Sequence, residues 1–412
     1  MAPHDGLVHL KEYDIKDSNV ELIGTDLDHK VKYNSAATEP AWNDGRVGIQ
    51  PGLLIWHIED FAVVPVPREK YGYFFEGDSY ILLHSQKATS RDPENGEPGT
   101  AKKLIHDLFF WLGMHTSQDE AGVAAYKTVE LDEFLGGAAT QHREIQASPS
   151  DDFLALFPRL TIRRGGVASG FHHVESDAAP KAEITTLLRI FKHHAAPRGR
   201  DSVLVYEVDP TWRSLDENDV FILDKGDKIW VWQGRACSPM EKAKAAQVVH
   251  DMTLAKHVDV EVVAQTESRS RAVARELGGD VDSGGEEGEF HAARPIRASA
   301  ARADEGEGVR KLFRLSDASG ELAFDLVGEG ESVSDENLDG NDVFLLDDAG
   351  RVIWVWEGRG ASRAEKAIWL KVAQAYVKRL QSEDGNSEAY LTPIARVREG
   401  SESAAFLKAI RV

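Results

Sequence analysis

Cysteine is almost absent from this chain of 412 residues, which contains only Cys237. One thiol cannot form an intramolecular disulfide, and a zinc site built on cysteine needs several thiolates. The sequence therefore excludes both a disulfide-supported fold and a cysteine-based zinc site.

Long apolar runs are also missing. The first residues, MAPHDGLVHLKEYD, lack the apolar core of a signal peptide. No run approaches the roughly 18 apolar residues of a membrane-spanning helix. We therefore predict a cytoplasmic protein without a transmembrane segment.

Positive charge is scarce relative to negative charge. The chain has 48 Lys and Arg residues against 69 Asp and Glu residues, which gives a net charge of −21. A protein that binds nucleic-acid phosphates or anionic lipid with its whole surface needs a basic face. We therefore expect no nucleic-acid partner, and any anionic partner must bind a local patch.

The motifs of common enzymes are absent as well. The sequence has no nucleophile elbow, no HExxH, no P-loop and no matched Ser/His/Asp motif, and it also lacks an EF-hand loop. His57, His84 and His106 lie near acidic residues, but no nucleophile accompanies them. We therefore do not expect an enzyme.

The chain does contain an internal repeat. Its composition, 42% apolar and 28% charged residues, is that of a folded protein. Residues 215–243 read LDENDVFILDKGDKIWVWQGRACSPMEKA, and residues 338–367 read LDGNDVFLLDDAGRVIWVWEGRGASRAEKA. A more divergent copy begins at Gly77 as GDSYILLHS and resumes at Ser117 as SQDEAGVAA. We interpret the residues between, Gln86–Thr116, as a long insertion.

Each copy has the same predicted layout. A strand of apolar and β-branched residues is followed by an Asp/Gly turn and by a Trp-rich strand, as at Val220–Leu223 and Ile229–Trp232. A Ser-x-x-Glu segment then opens a helix, as a capping box would. It occurs three times, at Ser117/Glu120, Ser238/Glu241 and Ser362/Glu365. Strands followed by a long helix, three times over, predict an α+β fold whose sheets are covered by helices.

Several segments resemble the gelsolin family. They are GLLIWHIEDFAVVPVPREKYGYFFEGDSYILL (52–83), WLGMHTSQDEAGVAAYKTVELDEFLGG (111–137), QHREIQ (141–146) and RRGGVASGFHHV (163–174). Three repeats, with the first opening after EPAW (39–42), look like the short severin and fragmin branch.

The resemblance implies an α+β fold of three gelsolin-like repeats. Each repeat is expected to be a central mixed sheet sandwiched by a long and a short helix. The predicted boundaries are an N-terminal extension at 1–45, repeat 1 at 46–160, repeat 2 at 161–276, a flexible linker at 277–310 and repeat 3 at 311–412.

A strand-start Asp and the helix-opening Glu recur as a pair in all three repeats. Calcium takes six to eight oxygen ligands, among them carboxylates and carbonyls, and the resemblance assigns such a site to each repeat. The implied ligands are Gly77, Asp78, Glu120 and Val167 in repeat 1, Asn218, Asp219 and Glu241 in repeat 2, and Asn341, Asp342 and Glu365 in repeat 3. Helix capping and ordinary turn chemistry offer an alternative explanation of the same residues.

The resemblance implies a further calcium arrangement that is shared with actin. Its ligands would be the Asp132 carboxylate and the carbonyls of Gly137 and Ala139, completed by an actin side chain. From the residues alone, a solvated acid near a helix end is the preferred interpretation of Asp132.

The predicted helix Gln118–Leu135 is the first surface expected to meet actin. Its outward side would carry Val123, Tyr126, Lys127 and Glu130, away from the Ala121, Ala124, Ala125 and Thr128 face. In the family this helix enters a cleft of actin. Alternatively, Val123 and Tyr126 pack under the insertion.

The second such surface is the most basic segment of an acidic chain. Arg159, Arg163 and Arg164 precede GGVASGF, which ends at Phe171. The resemblance implies that Arg163, Arg164 and Phe171 contact the side of the actin filament. It also implies that Arg159, Arg163 and Arg164 bind phosphoinositide head groups, for which guanidinium groups are suited. The alternative is a solvated strand edge.

The resemblance thus implies a calcium-regulated, actin-binding monomer of the actin cytoskeleton. It would sever actin filaments, cap their barbed ends and bind both monomeric and filamentous actin, under modulation by phosphoinositides. The alternative is an adaptor that binds the sides of filaments and bundles them without severing.

Overall fold

The structure is a computed structural model. It describes residues 35–87, 104–137, 139–166, 185–192, 203–254, 258–279, 290–292, 309–318, 320, 322–383 and 392–411. Within these ranges the strands form one sheet of ten strands and one of seven.

Among the described residues, the first part of the chain includes seven strands, one long helix and one short helix. They are β1 (Gly52–Glu59), β2 (Ala62–Pro65), β3 (Tyr73–Phe75), β4 (Ser79–Lys87), β5 (Leu104–Leu112), α1 (Gln118–Phe134), β6 (Thr140–Ile145), α2 (Asp151–Leu154) and β7 (Arg159–Arg163).

The second and third parts follow the same plan. The elements of repeat 2 are β8 (Thr186–Lys192), β9 (Val203–Val208), β10 (Val220–Asp224), β11 (Lys228–Gln233), α3 (Pro239–Leu254), β12 (Asp259–Ala264) and α4 (Ser270–Glu276). Those of repeat 3 are β13 (Lys311–Ser316), β14 (Ala323–Glu329), β15 (Val343–Asp347), β16 (Ile353–Glu357), α5 (Arg363–Glu383), β17 (Ile394–Arg398) and α6 (Ala404–Ile410).

Each central strand is buried on both faces, which explains why its sequence is apolar throughout. In β10, Val220 and Ile222 pack with residues of the long helix α3, while Phe221 and Leu223 pack with residues of the short helix α4. β15 divides its side chains in the same way between α5 and α6, and β4 does so between α1 and α2. The mixed sheet sandwiched by a long and a short helix is therefore confirmed.

The insertion in repeat 1 is shorter than predicted. β5 lies between β4 and β6, antiparallel to the first and parallel to the second. β11 and β16 occupy the same place in their repeats. Leu104–Leu112 is therefore the Trp-bearing second strand and not part of an insertion, and the sequence comparison missed it because only Trp111 of the WVW pattern remains.

The ten-stranded sheet joins repeat 3 to repeat 1. Its strand order is β14-β13-β15-β16-β17-β6-β5-β4-β1-β2. The junction is a short antiparallel pairing of β17 with β6, in which Ile394 lies opposite Arg143, Ala395 opposite His142 and Arg396 opposite Gln141.

Repeats 1 and 2 are joined more extensively. The seven-stranded sheet, β12-β11-β10-β8-β9-β7-β3, includes β3 of repeat 1, and the predicted boundary between residues 160 and 161 falls inside β7. One apolar cluster contains Phe74 and Trp111 of repeat 1 together with Phe191 and Leu204 of repeat 2. The two repeats therefore share a core.

Parts of the predicted N-terminal extension and of the predicted linker pack on the repeats. Trp42 is 1% exposed and meets Trp56 edge-on at a ring-centroid distance of 5.0 Å. Leu277 is buried beside α4, and Phe290 packs on Trp232 at 5.4 Å. The predicted linker is thus anchored at these two positions, while residues 1–34, 280–289 and 293–308 lie outside the described residues.

Replacing Trp42 by Ala tests whether the segment before repeat 1 belongs to its core. Trp42→Ala should lower the free energy of unfolding by about 3–5 kcal/mol, because it removes a large buried ring. Urea denaturation followed by fluorescence measures this change. Ile49→Ala is the matched control, since Ile49 is 68% exposed and its replacement should cost less than about 0.5 kcal/mol. Equal effects of the two substitutions would contradict this packing.

Candidate functional site

Capping boxes position the three predicted glutamates at the starts of the long helices. The Glu241 carboxylate accepts a hydrogen bond from the Ser238 N–H at 2.7 Å, and the Ser238 hydroxyl accepts one from the Glu241 N–H at 3.3 Å. Ser362 and Glu365 form the same reciprocal pair. In repeat 1 only the Ser117 hydroxyl takes part, accepting from the Glu120 N–H at 3.1 Å. The predicted capping box is therefore confirmed in repeats 2 and 3, and the serine cap is confirmed in repeat 1.

The strand-start aspartates are deeply buried. Asp78 and Asp219 are 0% exposed and Asp342 is 3% exposed. In repeat 3 the carboxylates of Asp342, Glu365 and Asp317 are close enough for electrostatic interaction, and burial raises the pKa of Glu365 with a further contribution from these two acids. In repeat 1, Thr116 bridges Glu120 and Ser79, the residue after Asp78. Its hydroxyl donates to Glu120 at 3.3 Å and lies 2.7 Å from the hydroxyl of Ser79.

A basic side chain from the neighbouring strand pairs with each aspartate. His57 Nε2 lies 3.1 Å from Asp78 Oδ2, Arg189 Nε donates to Asp219 at 2.6 Å, and Arg314 Nε donates to Asp342 at 2.8 Å. All three stand at the same register, opposite the residue two positions after the Asp. The sequence analysis missed them, although a basic residue between apolar residues recurs in WHI, LRI and FRL.

In repeat 1 this pairing affects the pKa of His57. Burial lowers the pKa of His57, but its interactions with the carboxylates of Asp78 and Glu59 outweigh that effect and leave the pKa raised. The site therefore favours a positive charge beside Asp78.

A glycine after each Trp-bearing strand completes the arrangement. The N–H groups of Gly113, Gly234 and Gly358 donate to the carbonyls of Asp78, Asp219 and Asp342 at 3.0, 3.0 and 3.1 Å. An added Cβ would lie 2.3, 2.2 or 2.4 Å from a backbone oxygen of the preceding turn. Only glycine allows this approach, and the signal in the sequence is Trp-x-Gly, which occurs in all three repeats.

These residues supply part of a calcium donor set. In repeat 3 the carboxylates of Asp342 and Glu365 are close enough to interact, and the other expected ligands of the three sites are backbone carbonyls, such as those of Gly77, Asn218 and Asn341. Asn218 and Asn341 turn their side chains back onto Asp216 and Asp339, which leaves the carbonyl as the ligand that each could offer. In the part of the chain that the structure describes, no three His, Cys, Asp or Glu side chains are grouped so as to hold a metal ion. Val167 lies outside the described residues.

Asp132 lies in a different cluster, at the junction of repeats 1 and 3. It is 1% exposed and accepts hydrogen bonds from the Ala139 N–H at 3.0 Å and from Gln141 Nε2 at 2.6 Å. Arg396 of repeat 3 also donates to it at 3.0 Å, and Arg398 donates to the carbonyl of Gly137. Asp132 is therefore a buried, paired carboxylate, and the expectation of a solvated acid is wrong.

Comparison with known proteins gives matches along most of the chain. The gelsolin repeat model matches residues 60–154, 201–273 and 327–407. The chain belongs to the gelsolin family. The three matches confirm three gelsolin repeats.

Individual relatives also match, two of them over nearly their whole length. The chain is 36% identical over 413 residues to gelsolin-like protein 1 of Lumbricus terrestris, with 98% of this chain and 99% of that protein covered. It is 34% identical over 379 residues to severin of Echinococcus granulosus, covering 90% and 92%. Cytoplasmic gelsolin of Homarus americanus is 35% identical over 361 residues, but only 44% of that protein is covered. The short, severin-like form is thereby confirmed.

The long helix of the first gelsolin repeat exposes less than the sequence predicts. Tyr126 is 49% exposed, but Glu130 is 0% exposed and Val123 is half-buried. Lys127 bonds to Glu130 at 3.2 Å and to Glu39 at 2.7 Å. The prediction that Glu130 points outward is wrong because the segment before the repeat lies against this part of the helix and Lys127 bridges the two.

The basic segment between the first two gelsolin repeats is paired with acids of the second. Arg159 bonds to Asp251 at 3.1 Å and Arg163 bonds to Glu207 at 2.7 Å. Arg164 bonds to Asp209. Because β7 lies between β3 and β9, the reading of this segment as a strand edge is wrong. Phe171 lies outside the described residues.

No helix among the described residues is both long enough and apolar enough to span a membrane.

Replacing one of the three equivalent glycines tests the geometry of the carboxylate sites. Gly234→Ala should lower the free energy of unfolding by about 1–3 kcal/mol, because the nearest atoms are backbone and cannot move aside cheaply. Gly122→Ala is the matched control: it lies in α1 with no atom within 4 Å of an added Cβ. It should stabilise the protein by about 0.5–1 kcal/mol. Chemical denaturation measures both changes, and a neutral Gly234→Ala would contradict the close approach.

Proposed function

We propose that this actin-binding member of the gelsolin family severs actin filaments and caps their barbed ends under the control of calcium, in the cytoplasm. The observation that carries the proposal is the triple recurrence of one arrangement. In each repeat a buried Asp, a helix-capping Glu and a glycine that bonds to the Asp carbonyl occupy equivalent positions in the fold. Capping alone explains the Glu, but it does not explain a buried Asp beside it in all three repeats.

The chain's own residues prepare these sites for a cation. Asp78, Asp219 and Asp342 each lie beside a basic group, and Glu365 has a raised pKa among neighbouring acids. When bound, calcium would supply a divalent charge that neutralises both carboxylates of a site at once. The ion pair between each aspartate and its basic partner would then weaken.

Contact with actin is proposed at the long helix of repeat 1. Tyr126 is its exposed large side chain, with Val123 half-buried one turn earlier. An exposed aromatic residue on a helix is a common anchor for a groove. Related proteins support the choice of partner, since a protein 32% identical to this chain over 370 residues bears the name actin depolymerising venom protein gelsolin 1, from Platymeris rhadamanthus.

Severing is tested by microscopy of tethered fluorescent actin filaments across a calcium series. We expect filament breaks with calcium and none in chelator, and we expect Glu120→Gln to shift the response to higher calcium, since it removes a ligand charge. Glu69→Gln is the matched control, because Glu69 is an exposed acid of the same repeat. Breaks that occur equally in chelator would contradict calcium control. Bundled, unbroken filaments would instead show the adaptor function.

We further propose that phosphoinositide head groups bind the Arg159–Arg164 segment. The three arginines already bind carboxylates of repeat 2, so the segment is built for anions. A phosphorylated head group would have to displace Glu207 and Asp209, and it would thereby disturb the junction of repeats 1 and 2. This gives lipid a route to oppose actin binding.

Lipid binding is tested by sedimentation with vesicles that contain phosphatidylinositol bisphosphate. Arg163→Gln, Arg164→Gln should weaken binding several-fold, because each arginine removed eliminates a charge-assisted contact with phosphate. Arg235→Gln is the matched control, since Arg235 is 44% exposed and pairs with Glu217 in the same repeat. Equal binding by the two variants would contradict this assignment.

A further inference from the structure

The last strand of repeat 2 leaves one edge of the seven-stranded sheet open. β12 pairs with β11 on one side and ends that sheet among the described residues. We propose that two copies of the chain associate at this edge, through an antiparallel pairing of β12 with β12 about a two-fold axis. The inference goes beyond the proposed function and departs from the monomer that the family resemblance implies. It depends on neither calcium nor actin.

β12, β6 and β17 are the same strand of the three repeats. Each lies parallel to the Trp-bearing strand of its own repeat. In that register Glu261, His142 and Ala395 occupy equivalent positions, each opposite the residue two places before the last Trp of the neighbouring strand. β6 and β17 pair with each other. β12 is therefore the third copy of a strand whose other two copies are joined by their edges.

The pairing of β6 with β17 is centred on these equivalent positions. Ala395 lies opposite His142, and one further pair on each side keeps the same register. Because the pairing is antiparallel and the same position of both strands lies at its centre, it has the form of a two-fold arrangement. The same register in two copies of β12 sets Glu261 opposite Glu261, and Val260 opposite Val262 on both sides. Two copies of β12 can therefore repeat this junction as a closed dimer.

The side chains of β12 suit such a pairing. Val260 and Val262 are 41% and 51% exposed. They share the face of Ile229 and Val231, which pack with the long helix α3. Leu254, the last residue of that helix, is 73% exposed. β-branched residues on an open strand edge favour the addition of another strand, so this edge has the composition of a strand that expects a partner.

The acid that the register sets against its own copy is already compensated. Glu261 accepts a bond from Lys228 at 2.6 Å and another from Arg269 at 3.1 Å. Each Glu261 would therefore reach the two-fold axis with its charge offset, which reduces the cost of placing like charges opposite each other. Asp259, the other acid of the strand, would lie opposite Val263. The charges of β12 thus permit self-pairing.

The edge strand of repeat 3 provides a comparison. β14 ends the ten-stranded sheet, and its Leu326 is 50% exposed. β14 forms an antiparallel pair with β13, as β9 does with β8. Its equivalent β9 pairs with β7, and not with a second strand of its own kind. The chain therefore contains a precedent for self-pairing at β12 and none at β14.

The net charge determines the conditions under which the dimer forms. Each copy carries a net charge of −21, so two copies repel each other at low ionic strength. At about 0.15 M salt the interaction of exposed charges is screened beyond about 8 Å. We therefore expect association to strengthen as salt is raised to that level. Because one short strand pairing buries little area, we expect a dissociation constant on the order of micromolar.

Sedimentation equilibrium of the full-length protein in chelator, without actin, tests the dimer over a concentration series. Val262→Lys should raise the dissociation constant by about tenfold or more, because it places a charge within the strand pairing. Leu326→Lys is the matched control, since Leu326 is as exposed as Val262 but lies on β14, and it should leave the dissociation constant unchanged. Both positions are exposed, so neither substitution opens the apolar core.

Three results would overturn the proposal. The first is a wild-type chain that stays monomeric throughout the series at moderate salt, which would leave β12 to a strand of another protein. The second is a dimer that Val262→Lys does not weaken. The third is equal weakening by Leu326→Lys, which would place the contact elsewhere.

A cross-link tests the register itself. In Glu261→Cys the two new thiols would lie directly opposite each other, within the range that a disulfide spans. Copper phenanthroline, as the oxidant that takes up two electrons, should then convert the two thiols to an intermolecular disulfide, seen as a dimer on a non-reducing gel. Glu267→Cys is the control, because Glu267 follows β12 and lies away from the axis, and the native Cys237 is buried. Equal cross-linking of the two variants would contradict the register.

Discussion

The pairing of a buried carboxylate with a basic side chain recurs in all three repeats and at the junction of repeats 1 and 3. Each repeat begins its central strand with an aspartate that is almost completely inaccessible. An uncompensated charge there would cost several kcal/mol, and a basic side chain from the next strand, His57, Arg189 or Arg314, compensates it. Asp132 follows the same rule across a repeat boundary, with Arg396 as its partner. Calcium would enter by replacing an internal cation and not by filling an empty site.

The contacts between repeats differ, and they determine which repeats a local change of charge would affect. Repeats 1 and 2 share β7, β3 and an aromatic core, so a local change of charge cannot separate them without exposing Phe74 and Phe191. Repeat 3 meets repeat 1 through one short strand pairing and a cluster of charges. The ion pair between Arg396 and Asp132 contributes to that junction, whereas the arginines at Arg163 and Arg164 support a junction that apolar packing also holds.

Much of this fold could be predicted from the sequence because its signals are local and repeated. The order of strand, turn, strand and capped helix occurs three times in the sequence. The caps at Ser238 and Ser362 are found as predicted. The second strand of repeat 1 was missed because it has one tryptophan, Trp111, where the other repeats have the WVW pattern. The basic partners of the aspartates were missed because each lies on a different strand, far from its Asp in the sequence. The pairing of the two strands brings them together. Glu130 was placed on the wrong side because its burial depends on Lys127 and Glu39, which lies 88 positions before Lys127.

Calorimetric titration of calcium into Arg314→Gln and the wild-type protein tests most directly whether calcium competes with internal cations. Arg314 is 41% exposed in its side chain, so its replacement removes the positive charge beside Asp342 without opening a cavity in the apolar core. The account predicts tighter calcium binding at the third repeat, because Asp342, Glu365 and Asp317 then lack their internal counter-charge. Unchanged or weaker binding in the variant would contradict it.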